Sequence, residues 1–220
     1  MADIVIFGAG EMAELATFHI DNYGPDRIVG FTVDANYRTS DTFLGRPLVD
    51  WEELESAFSP AEVALLGPLS FRQMNMLRRD RTADALKRGY RFTNFFHPSS
   101  QVYARSVGTN CVILENNLIQ PCAMIGDGLL MGSGNHVGHH SRVGDFCFIS
   151  NGVTISGGCT IGQECYLAPS ATIDMGVQVG AGSYIGSATL TRRNIPESSV
   201  VRPRESPLAK FSAKRLRNLV

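Results

Sequence analysis

Residues 107–190 read VGTNCV ILENNL IQPCAM IGDGLL MGSGNH VGHHSR VGDFCF ISNGVT ISGGCT IGQECY LAPSAT IDMGVQ VGAGSY IGSATL, fourteen six-residue units without an insertion. Position one is always Val, Ile, Leu or Met, and position two is Gly in eight units. Such register over so long a stretch marks a solenoid, in which each unit buries its apolar residue against its neighbours. Cys111, Cys147, Cys159 and Cys165 all fall at position five and read as small core residues.

Outward from this block the composition changes. Residues 1–97 alternate apolar runs with amphipathic segments. Asp3–Phe7 reads as a strand, Glu11–Asn22 as a helix, Ile28–Val33 as a strand, Val63–Leu66 as a third and Tyr90–Phe95 as a fourth. Asp50 with Glu53 has capping-box spacing, and Gln73–Arg88 reads as a long charged helix. This alternation predicts a small parallel α/β sheet. The expected organisation is an α/β, Rossmann-like domain over 1–97, a β-solenoid over 98–205 and a C-terminal tail over 206–220.

Bulk properties narrow the function. The chain has 220 residues and a formal net charge of −1, without the basic surplus that phosphate backbones require. No apolar run approaches a membrane span, and the N-terminus lacks a basic signal-peptide region. Five cysteines without a CxxC pair point to reduced thiols and a cytoplasmic protein.

The hexads resemble the hexapeptide-repeat acyltransferases, whose repeat builds a left-handed parallel β-helix with three units per coil. Given that coil, the glycines at position two are read as corners that need permissive backbone angles. The resemblance also implies that every third unit shares a flat face. One face then stacks Val112, Leu130, Phe148, Tyr166 and Tyr184, an apolar stripe too large to leave in water. It is expected to be buried against other copies of the chain in a homotrimer, with a terminal segment as the alternative cover.

Three of the five histidines lie in GNHVGHHSRVGDF. His136 falls on a flat face, while His139 and His140 occupy a corner and project outward. One coil later stand Gly157 and Gly158, leaving a slot beside the imidazoles for a slender ligand. A neutral imidazole can take a proton from an attacking amine or hydroxyl, and a backbone N–H beside it can hold an oxyanion. The stretches IFGAGEMAE, IVGFTVD, FFHPSS, GHHSRVGDF, ISGGCTIG and IPESSVV resemble the NeuD/PglD-type sugar O-/N-acetyltransferases. The resemblance implies acetyl-CoA as co-substrate, no metal, and a sugar or nucleotide-sugar acceptor used for surface polysaccharide. It implies His139 as general base, with His140 and His136 as further catalytic candidates. Gly157, Gly158 and Met175 form the expected oxyanion and acetyl-CoA set. Two departures stand out: the acidic residue that usually follows the base is His140, and a second family histidine is Phe148.

In Gly8-Ala9-Gly10, between a strand and a helix, free N–H groups can meet a phosphate. Asp34, ending the second strand, can take a ribose hydroxyl. In the resembling family this domain over 1–97 binds the nucleotide-sugar acceptor, so the resemblance implies Gly8, Gly10 and Asp34 as acceptor-binding candidates. The basic residues Arg192, Arg193, Arg202 and Arg204, and Lys210, Lys214, Arg215 and Arg217 beyond them, are candidates for coenzyme A phosphates or a solvated tail. Competing readings are a zinc-dependent lyase like the γ-carbonic anhydrases, a nicotinamide oxidoreductase, and a scaffold or binding protein.

Overall fold

The computed structural model describes residues 1–67, 71–203, 205 and 206. Arg204, Lys210, Lys214, Arg215 and Arg217 lie outside the described residues, as does nearly all of the tail. The chain opens with β1 (Asp3–Phe7), α1 (Glu11–Tyr23) and β2 (Arg27–Val33). The hairpin β3 (Thr42–Phe43) and β4 (Arg46–Asp50) follows, then α2 (Leu54–Ala57), β5 (Ala64–Leu66), α3 (Met76–Lys87) and β6 (Arg91–Phe92). The sheet order is β3-β4-β2-β1-β5-β6, parallel except for the β3–β4 pair. Continuous apolar strands such as DIVIF are buried on both sides, as a parallel sheet covered by helices requires.

Four local expectations are corrected by tertiary contacts. The β3–β4 hairpin was not foreseen; its turn places Leu44 and Gly45 in the left-handed region. Asp50 caps no helix: a 3-10 turn over Trp51–Glu53 follows it, and its carboxylate accepts from Arg38 at 3.3 Å instead. The long helix starts at Met76, because Gln73, Met74 and Asn75 are left-handed and the Asn75 amide donates to the Cys165 carbonyl of the solenoid at 3.2 Å. The expected strand Tyr90–Phe95 is split. Phe92 ends it in the sheet, Asn94 donates to Gly108 O, and Phe95–Phe96 pairs with Val112–Ile113 in the solenoid.

From there the chain winds a parallel β-helix of triangular section. The apolar face runs from Phe95–Phe96 through the strands led by Val112, Leu130, Phe148, Tyr166 and Tyr184 to Val200–Val201. A second face carries Gln101, Leu118, His136, Thr154, Thr172 and Leu190, and a third carries Ser106, Met124, Arg142, Thr160 and Gln178. Position-one residues from Ile113 to Ile185 are all buried and stack along the axis. The four position-five cysteines are fully buried too; the Cys147 thiol donates to Gly162 O on the next coil at 3.1 Å. Burial pushes the Cys111 thiol up to about 12, so it stays protonated.

The role of the position-two glycines is different from the expectation. The left-handed residue sits at position four of every hexad, and most of these residues are not glycine: Asn110, Asn116, Cys122, His140, Phe146, Glu164, Ser170 and Ala188. At position two glycine is needed for closeness between coils. A Cβ on Gly138 would lie 2.5 Å from Gly157 N, and one on Gly144 would lie 2.6 Å from Gln163 N.

From Val112 to Tyr166 the apolar stripe is covered by the chain's own α/β unit, where the sequence reading expects other copies of the chain. Val112, Leu114, Leu130 and Phe148 belong to one core with β1, α1 and β5, and Phe71 packs its ring 5.0 Å from that of Phe148. An intramolecular cover is present at high effective concentration, so it claims the stripe first. Polar clamps hold both flanks of this face. On one edge the buried Arg78 donates to Gly128 O and Phe146 O at 2.8 Å and to Cys147 O at 2.9 Å. On the other, His19 of α1 lies 3.3 Å from the Glu115 carboxylate.

Candidate active site

The third edge of the prism, between the second and third faces, lies opposite the covered face. His139 and His140 stand there, each tied down by the solenoid. The His139 N–H donates to the Gln120 side chain at 2.9 Å, and its carbonyl accepts from Gly158 N at 2.9 Å. His140 takes position four and is left-handed, with φ 59°. The two rings meet nearly edge to face, their Nδ1 atoms 3.1 Å apart.

Gly157 stands one coil above His139 on the same edge. Its missing side chain is what admits the imidazole: a Cβ there would lie 2.8 Å from His139 Cε1 and 2.9 Å from Nε2. The Gly158 N–H is spent on the His139 carbonyl, whereas the Gly157 N–H donates to nothing among the described residues. The structure therefore brings together His139, His140, Gly157 and Gly158. Met175, at position three of the following coil, continues the column and is 73% exposed. An imidazole, a free amide and a bare backbone on one edge can accept a proton and hold an oxyanion beside a narrow ligand.

His136 is placed elsewhere. It lies on the second flat face, in register between Leu118 and Thr154, with Nε2 buried and without a hydrogen-bond partner. Phe148 is equally remote, beneath the α/β unit. Among the described residues no cluster of three or more His, Cys, Asp or Glu could hold a metal ion. No helix among them is long and apolar enough to cross a membrane.

The acceptor candidates sit on the other side of the molecule. Gly8 follows β1 with φ 142° and donates to Thr32 O at 2.9 Å; a Cβ there would touch Ala13 at 3.4 Å. Gly10 caps α1 and faces open space, so its surroundings leave room for a ligand at the helix N-terminus. Asp34 follows β2, and its Oδ1 lies 2.6 Å from Arg81 of α3. Beyond it a cavity of about 590 Å³ is lined by Ala35, Arg38, Thr39, Ser40, Asp41 and Asp50. Within one chain the fold does not bring these residues to His139, since the α/β unit covers the face opposite the His139 edge.

Two contributors escaped sequence reasoning. Gln120 lies nineteen residues before His139, a spacing that coil stacking makes legible once the winding is known. Arg81 reaches Asp34 from another helix, and no sequence pattern announces it.

Residues 140–174 match the family described as bacterial transferase hexapeptide (six repeats). No curated protein matches the chain in sequence. Solved structures match nearly its whole length. A histidine variant of perosamine N-acetyltransferase from Caulobacter crescentus, in complex with CoA and GDP-perosamine, is 22% identical with a TM-score of 0.80, over 92% of this chain and 94% of that one. The acetyltransferase domain of PglB from Neisseria gonorrhoeae is 24% identical with a TM-score of 0.77, over 92% and 97%. WeeI from Acinetobacter baumannii is 16% identical with a TM-score of 0.77, over 92% and 97%. The chain thus carries the hexapeptide repeat of the bacterial transferases and has the fold of these acetyltransferases, an α/β unit followed by a left-handed parallel β-helix.

Proposed function

We propose that this protein is an acetyl-CoA-dependent acetyltransferase acting on an amino or hydroxyl group of a nucleotide-linked sugar. The observation that carries the reading is the His139 ring lying against Gly157, whose N–H is uncommitted. His139 Nε2 takes the proton from the attacking nitrogen or oxygen as that atom bonds to the thioester carbonyl carbon. The Gly157 N–H steadies the oxyanion of the tetrahedral intermediate. On collapse the carbon–sulfur bond breaks, and His139 returns its proton to the departing thiolate. The bare edge at Gly157 and Gly158, with Met175 above it, fits a thin thioester arm. The Caulobacter enzyme of the same fold, seen with CoA and GDP-perosamine, supports this pairing of substrates.

The acceptor candidates Gly8, Gly10 and Asp34 lie across the molecule from His139, so one protomer's α/β unit serves a neighbour's His139 edge. A homotrimer with sites between adjacent β-helices satisfies this. All five cysteines are unpaired, which fits a cytoplasmic enzyme that modifies sugar nucleotides for surface polysaccharide.

The test is thiol release from acetyl-CoA with a panel of UDP-, dTDP- and GDP-linked amino sugars. One acceptor should be acetylated, and His139→Ala should lower kcat about 10²- to 10⁴-fold with acetyl-CoA binding nearly unchanged. Turnover near wild type in that variant removes His139 from the mechanism. A panel without thiol release counts against the reaction class.

A further inference from the structure

Among the described residues no carboxylate pairs with the His139 ring, and a second imidazole, that of His140, lies against it. We infer that His140 is a positioning residue that sets the tautomer of His139 through the Nδ1–Nδ1 contact. This rests on the reading of His139 as general base.

Two neutral imidazoles joined at Nδ1 share one proton, so one ring donates and the other accepts. If His139 carries the Nδ1 proton, it donates to His140 Nδ1 and its own Nε2 is a free lone pair beside Gly157. If His140 carries it, His139 accepts at Nδ1, holds its proton at Nε2, and has no base to offer. Catalysis needs the first arrangement, with His140 protonated at Nε2 on its solvent side.

A carboxylate at position 140 could only accept, and would keep the Nδ1 proton on His139. His140 does so only while neutral. A proton added to His140 gives that ring N–H groups on both sides, turns the shared bond around and removes the lone pair from His139 Nε2. The pair is therefore silenced by one proton on either ring.

The surroundings leave this contact as the main control. Gln120 is neutral and holds the His139 backbone. Cys122 and Gly158 stack before and after His140 at position four. Among the described residues His19 is the one histidine whose ring pairs with a carboxylate, that of Glu115, and no carboxylate oxygen lies within 4.0 Å of His139 or His140. Arg142 points from the third face and is exposed, and Asp174, on the coil beyond Gly157, accepts from Met175 N at 2.9 Å.

Ring-nitrogen NMR of histidine-labelled protein reads the tautomer directly. Wild type should show His139 protonated at Nδ1 near neutral pH, and His140→Phe should lose that signature. Phe146 holds the same hexad position with φ 55°, so the conformation accepts an aromatic ring. His140→Phe should lower kcat at least about tenfold with an unchanged KM for acetyl-CoA. His140→Asp, an acceptor-only partner, should restore kcat and move the acid limb of the rate profile to higher pH, since a carboxylate holds the imidazolium proton more firmly. A His139 protonated at Nε2 in the wild type, or a His140→Asp enzyme as slow as His140→Phe, overturns the inference. The spectra need no acceptor, so a panel without acetyl transfer counts against the function alone.

Discussion

Adding one methyl group at Gly157 should separate catalysis from stability. The backbone there is not left-handed, so alanine meets no conformational penalty at that position. What the methyl meets is the imidazole, at 2.8 Å from Cε1, 2.9 Å from Nε2 and 3.3 Å from Nδ1 of His139. Ordinary contact between such atoms begins near about 3.5 Å, so the ring must retreat by most of an ångström. The ring lies at an open edge and can swing, so the strain is small and stability should change by less than about 1 kcal/mol. Catalysis does not share that tolerance, because a displacement of about 1 Å at a reacting group costs on the order of 10²-fold in rate. Gly157→Ala should therefore lose about 10² in kcat with a thermal midpoint within a few degrees of wild type. Thiol release and a melting curve on one preparation measure both. Gly158→Ala is the comparison: a Cβ there touches nothing within 4 Å, and its φ of 69° lies in the left-handed region that Ala188 occupies at 53°. Full turnover in Gly157→Ala would refute the packing of His139 against this amide.

Three further outcomes follow from the fold. Gly138→Ala forces a methyl to 2.5 Å from Gly157 N, where only backbone can give way, so it should cost about 1–3 kcal/mol in urea unfolding. Arg78→Met removes donors from three backbone carbonyls, those of Gly128 and Cys147 buried and that of Phe146 half-buried, at the contact between the α/β unit and the solenoid. The loss should reach about 3 kcal/mol or more, measured by the same method. Burial has already brought the Arg78 guanidinium down to about 10, yet it stays charged at neutral pH. His19 sets a pH response. Burial, opposed by Glu115 and reinforced by His97, holds it below its ordinary value. The unfolded chain then binds the proton more readily, so this contribution is complete above about pH 6.5 and is lost as pH falls further. The melting temperature of wild type should drop on acidification more steeply than that of His19→Gln; parallel profiles would count against it.

The hexad register was legible because a solenoid repeats one local solution. Position one must be aliphatic, and the residue one coil away is always eighteen positions on. With the three units per coil that the family resemblance implies, that arithmetic stacks Gly157 above His139. The first α/β elements were legible for a related reason, since DIVIF and RIVGFTV are buried strands and the glycines between β1 and α1 mark a turn.

Other features depend on partners far away in sequence. Asn75 leaves the helix because its amide finds carbonyls of the solenoid, and Asp50 turns to Arg38 instead of a helix N-terminus. The period marks where position-two glycines fall but not why, because the pressure on them comes from the backbone of the next coil. The apolar stripe announced that something covers it, and only docking showed that Phe71, α1 and β5 do so. Composition and period by themselves settled the solenoid and its aliphatic core, since these follow from a local pattern repeated in register; the edge carrying the histidines was legible only with the three units per coil that the family resemblance implies. The tertiary structure alone decided which face the α/β unit covers and that Nδ1 of His140 meets Nδ1 of His139. Those depend on distances between surfaces and on ring rotation, which no spacing along the chain encodes.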